Sequence, residues 1–91
     1  MSEIQVLLVS SFGCKPCQRV KERLQQLRAV FPELRVEEVD LGSEEGTALA
    51  LRYRLAALPG IVINGRMALV GDVPEALLRQ ELEAARRVQA R

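Results

Sequence analysis

Apolar positions along the 91-residue chain change their period from one segment to the next, and each period predicts an element. Ile4 to Val9 (IQVLLV) is a nearly unbroken apolar run rich in β-branched residues, which predicts a buried strand. Ser10 to Gly13 follows as a loop. Val20, Leu24, Leu27 and Phe31 then recur at spacings of four, three and four, which is one face of a helix. That helix is expected to stop near Pro32, because the residue before a proline avoids the helical region. Leu34 to Val39 predicts a second strand, half-buried or at an edge, where Glu37 and Glu38 discourage edge-to-edge pairing.

The second half of the chain repeats the alternation. Ser43 is expected to cap a helix whose first turn holds Glu44 and Glu45, with an apolar stripe of Ala48, Leu51 and Leu55. Ile61 to Val70 reads as two β runs split by Asn64-Gly65, a pair suited to the positive φ angles of a tight hairpin turn. A last helix opens at Asp72-Val73-Pro74, with Asp72 or Val73 as cap and Pro74 in the first turn. Leu78, Leu82, Ala85 and Val88 are its expected buried face. The order is β-α-β-α-β-β-α. A parallel β-α-β unit followed by a hairpin makes an α/β fold, a mixed four-stranded sheet with helices on both faces. No repeat or linker divides residues 1–91, so one domain is expected.

Composition adds limits. Aromatics are only 3% of residues, so Leu, Val, Ile and Ala must build the core. A formal net charge of +1, with acids and bases interleaved, offers no field for nucleic acid. The opening residues lack the pattern of a secretory leader, and no stretch reaches the roughly 20 apolar residues that span a bilayer. A cytoplasmic monomer without membrane or nucleic-acid partners is the expectation.

The chemistry lies in Gly13-Cys14-Lys15-Pro16-Cys17, which holds both cysteines of the chain. In a reducing compartment such a pair is more often catalytic or metal-binding than a structural staple. Cys14 falls where the first loop enters the first helix. Cys17 falls on the apolar stripe with Val20 and Leu24. The outer sulfur, near unpaired N–H groups and the positive helix end, is favoured as a thiolate. The inner sulfur is shielded and close enough to attack a mixed disulfide. A metal-binding module or metallochaperone is the other reading. However, two thiolates are half of a tetrahedral site, and the chain has no histidine and no third cysteine, so no metal ligand is assigned.

Three pieces of the sequence, taken together, resemble the thioredoxin-fold family in its small thioredoxin-like and glutaredoxin-like forms. They are Phe12-Gly13-Cys14-Lys15-Pro16-Cys17, the run Tyr53 to Pro59, and Ile61 to Gly65 followed by Val70-Gly71-Asp72. The resemblance implies a thiol–disulfide oxidoreductase with Cys14 as nucleophile and Cys17 as resolving thiol. It implies a cis peptide before Pro59, which would present the Leu58 backbone to an extended substrate. Phe12, Gly13, Lys15, Pro16, Leu58, Pro59, Gly71 and Asp72 become the expected substrate-binding residues. No cofactor is expected beyond the redox-active Cys14–Cys17 disulfide. The expected partners are a disulfide-containing protein or small molecule, and a reductase or thiol pool as electron donor, with glutathione as one candidate.

The chain also departs from the family pattern. Phe12-Gly13 stands where thioredoxins usually have tryptophan before the first cysteine. Val6-Leu7-Leu8 lacks the acid that thioredoxins carry in the first strand, which leaves the proton acceptor for Cys17 open. Lys15-Pro16 replaces the Pro-Tyr of glutaredoxins, Ala57 replaces a threonine, and their glycine pair is reduced to Val70-Gly71.

Overall fold

The computed structural model describes residues 3–89. Seven elements follow in the expected order: β1 (Ile4–Ser10), α1 (Lys15–Leu27), β2 (Leu34–Asp40), α2 (Glu44–Arg52), β3 (Gly60–Ile63), β4 (Met67–Val70) and α3 (Glu75–Gln89). They form one mixed sheet in the order β2-β1-β3-β4. β1 and β2 run parallel, in register from Ile4↔Leu34 to Ser10↔Asp40. β3 lies antiparallel on the other side of β1, with Val6 opposite Ile63 and Val9 opposite Gly60.

The main core lies between this sheet and the pair α1/α3. Ile4, Val6 and Leu8 of β1 pack there with Val20, Leu24 and Leu27 of α1, Leu78 and Leu82 of α3, and Phe31. Alternation along the strands sends Val9, Val39 and Val62 to the opposite face, where they are also buried. That face is covered by α2, and here the expected apolar stripe is corrected. Ala48 and Leu51 are exposed, Leu51 by 76%. The buried residue of α2 is Gly46. A Cβ at Gly46 would collide with the Asp40 carbonyl group, so the helix backbone rests directly on the end of β2. Leu55 lies beyond the helix and packs against Gly60 instead.

Two boundaries and one side chain also differ from expectation. α1 ends at Leu27, several residues before Pro32. Arg28, Ala29 and Val30 donate their N–H groups to the carbonyls of Gln25, Gln26 and Leu27, so the chain tightens to i→i+3 bonding. Phe31 still reaches the core. α3 begins at Glu75, and the Pro74 carbonyl accepts from the N–H groups of Leu77 and Leu78. The cap position therefore falls on Pro74 rather than on Asp72 or Val73. Val88, expected on the buried face of α3, is half-exposed, on the wall of an open groove it shares with Ile63, Asn64 and Met67.

At the end of the sheet where β1 starts, two devices close the fold. Asn64 and Gly65 adopt φ of 52° and 66°, and Arg66 joins them in a three-residue hairpin loop. The Asn64 Oδ1 accepts from the N–H of Gln5 at 2.8 Å, tying the loop to β1. Arg86 lies over the Phe31 ring at 4.3 Å and donates to both oxygens of Glu33, at 2.6 and 2.9 Å. This arginine pins the C-terminal half of α3 to the turn before β2.

Candidate active site

The cysteine loop sits at the opposite end, where β1 ends. Gly13 takes φ of +78°, a conformation glycine adopts without strain, and turns the chain from strand to helix. The N–H of Cys14 donates to the Ser11 carbonyl at 3.1 Å. Cys14 is the N-cap of α1, with extended backbone angles. Its Sγ takes the place that a serine or aspartate oxygen usually fills, accepting from the N–H of Cys17 at 3.2 Å. Pro16 stands in the first turn, where its missing N–H costs no hydrogen bond.

Cys14 and Cys17 are joined as a disulfide, with Cα atoms 5.3 Å apart. The two sulfurs have different surroundings. Cys17 is 2% exposed, on the buried face of α1 with Val20 and Leu24. Cys14 is partly exposed, between a fully exposed Phe12 and an exposed Lys15. Among the described residues, no group of three or more His, Cys, Asp and Glu side chains comes together.

The other expected site residues fall into two groups. Leu58-Pro59 is a cis peptide. Pro59 is buried and leads into β3, whose Gly60 pairs with Val9 beside the cysteine loop. The Pro59 carbonyl accepts from the N–H of Gly71 at 2.9 Å, which draws the segment after β4 to the same end of the sheet. The side chain of Asp72, however, turns to α1. It accepts from Arg19 Nε at 2.9 Å and from Arg23 Nη1, and Arg23 also donates to the Val73 carbonyl. Arg23 first, and then Arg19, hold the Asp72 carboxyl below the usual aspartate range.

Sequence reading missed one cluster here. Ser10 Oγ donates to Glu38 Oε2 at 2.8 Å, and Lys21 Nζ donates to Glu38 Oε1 at 3.0 Å. Lys21 and then Ser10 hold the Glu38 carboxyl below the usual range. The signal was present in β1: Ile4, Val6, Leu8 and Ser10 share one face by alternation, so the series places a hydroxyl in the core.

Residues 2–84 match the family model described as a thioredoxin domain. The chain belongs to the thioredoxin family. Within this thioredoxin-family setting, Glutaredoxin-C1 of Arabidopsis thaliana is 35% identical over 65 residues, covering 71% of this chain and 52% of that protein. The chain thus spans about half the length of that plant relative. The disulfide bond formation protein of Brevibacillus choshinensis is 33% identical over 79 residues, covering 82% of this chain and 67% of that protein. Two solved structures share the fold. The oxidized mitochondrial thioredoxin 3 of Saccharomyces cerevisiae has a TM-score of 0.66 at 23% identity, covering 88% of this chain and 77% of the other. The germline-specific thioredoxin Deadhead of Drosophila melanogaster has a TM-score of 0.71 at 20% identity, covering 91% and 81%. Thioredoxin-family membership, together with the CxxC pair, supports a redox dithiol function. No helix among the described residues is long and apolar enough to cross a membrane.

Proposed function

We propose that this chain is a thiol–disulfide oxidoreductase that reduces disulfides of proteins or small molecules through Cys14 and Cys17. One observation carries the reading: the disulfide joins a helix-capping, partly exposed sulfur to a buried one. In the reduced protein, the N–H of Cys17 and the positive end of α1 favour the Cys14 thiolate. That thiolate attacks one sulfur of a substrate disulfide, and the first substrate thiolate leaves. Cys17 then attacks Cys14, the second substrate thiolate leaves, and the Cys14–Cys17 disulfide re-forms. An electron donor of the thiol or reductase class returns it to the dithiol.

Phe12 supplies an apolar contact beside the sulfur, and Lys15 supplies charge. The Leu58-Pro59 segment offers its backbone to an extended segment of substrate. Gly71 completes the rim through its bond to Pro59. Asp72 is held by Arg19 and Arg23, so a donor or substrate group that bound its carboxylate would compete with both guanidinium groups.

The test is a redox titration of the purified protein in dithiol buffers, with thiols trapped by alkylation and counted by mass. A single two-electron transition that consumes both cysteines is the expected result. Thiols that stay reduced throughout, or metal that blocks alkylation, would overturn the reading in favour of a metal-binding module.

A further inference from the structure

Among the described residues, Ser10 alone is both polar and buried, at 6% exposed. It ends β1 on the face that packs against α1, the face of Val6 and Leu8. Cys17 is buried in the first turn of that helix. The Ser10 hydroxyl does not stop in the interior. It donates to Glu38, whose side chain is 44% exposed. A hydrogen-bonded line therefore runs from the floor beneath α1 to solvent. Leu8, directly opposite Glu38 in the β1–β2 register, carries no acid that could compete for this role.

We propose that Ser10 and Glu38 form the path by which the proton of Cys17 reaches water when the resolving thiol attacks. This rests on the dithiol mechanism proposed above. In that step the Cys17 S–H gives its proton to the Ser10 hydroxyl, and the hydroxyl passes its own proton to Glu38. The Cys17 thiolate forms the bond to Cys14 Sγ. The bond from Cys14 to the substrate sulfur breaks, and the electron pair leaves with the substrate thiolate. Glu38 then releases the proton to water. A serine suits the middle of such a line, since it has one donor and two lone pairs. Glu38 suits the exit, since its carboxylate accepts from the Ser10 hydroxyl on one side and meets Lys21 and solvent on the other. The groups that meet its carboxylate are Lys21 from α1 and Ser10 from β1; on its own strand Glu37 alternates to the opposite face and Asp40 to the same one.

The experiment is stopped-flow reaction of the reduced protein with an excess of an aromatic disulfide that releases a coloured thiol. The first colour phase reports attack by Cys14, and the second reports resolution by Cys17. We expect Glu38→Gln and Ser10→Ala to leave the first phase unchanged. Both should slow the second by about a hundredfold near pH 6–7, the lower end of what general acid–base groups supply. The gap should close at high pH, where hydroxide removes the proton directly, and Glu38→Asp should recover part of the rate. Second phases equal to the parent's at every pH, or slowed by one factor across the whole range, would overturn the path. Loss of the first phase in the parent protein would instead overturn the oxidoreductase reading. Ser10→Ala removes the middle group without touching the Lys21–Glu38 pair, so it tests the path even where Glu38→Gln disturbs folding.

Discussion

The sulfur of Cys14 accepts the backbone N–H of Cys17 at 3.2 Å, so the exposed cysteine caps the helix that carries its buried partner. A thiolate at that position gains a charge-assisted version of the same hydrogen bond. The two cysteines are therefore unequal by placement, and the first prediction follows from that inequality.

Cys14→Ser is expected to abolish disulfide exchange. Cys17→Ser is expected to accumulate a mixed disulfide on Cys14, visible by intact mass as substrate plus protein. Rapid release of substrate from the Cys17→Ser protein would contradict the assignment of roles.

Acid sensitivity comes from three carboxylates. Glu33 is held below its ordinary value of 4.5 by Arg86, Glu38 by Lys21 and Ser10, and Asp72 is held below 3.8 by Arg23 and Arg19. A carboxyl depressed in the folded state stabilises it fully above the unfolded value and loses that contribution as pH falls through the folded one. Melting temperature should thus be flat from neutral pH to about 5 and fall progressively below about 4.5. Glu33→Gln should flatten part of that fall. An unchanged acid slope in this variant would show that the Arg86 pair does not couple folding to protons.

Gly46→Ala reverses the usual rule for helices. Alanine in a helix interior is ordinarily better than glycine by about 1 kcal/mol. Here the added methyl meets the Asp40 backbone, and a net loss of roughly 1–3 kcal/mol is expected from overpacking. Urea denaturation would measure it; a stabilised variant would mean that α2 can lift from the sheet without penalty.

Asn64 does two things that substitution separates. Asn64→Gly keeps the positive φ and removes only the bond to Gln5, for an expected loss of about 1 kcal/mol. Asn64→Ala also forces a side chain without a local hydrogen bond into the left-handed region, for roughly 1–2 kcal/mol more. Equal losses for the two variants would show that the turn relaxes its backbone.

Most of the architecture was legible because its signals are local. The β-branched run of β1, the 4-3-4 spacing of α1 and the Asn-Gly turn each state their period within a few residues. The cysteine loop was legible for the same reason, since a cap and a first turn occupy adjacent positions. What escaped depends on partners distant in sequence. The face of α2 was misread because a glycine, invisible to an apolar count, sets the closest approach to the sheet. Glu38 carries only an edge-strand signal and Lys21 none; only the fold joins both to Ser10. Asp72 could be placed near the site from its neighbours, but its pairing with Arg19 and Arg23 needed α1 in position.

The Arg86–Glu33–Phe31 clamp and the Asn64 turn lie at one pole of the molecule, and the cysteine loop lies at the other. Robustness and reactivity are thereby given separate addresses. Changes that harden or loosen the clamp should move the melting temperature and leave the midpoint of the dithiol where it was. Such a chain can adapt to a hotter or colder setting with its chemistry left alone.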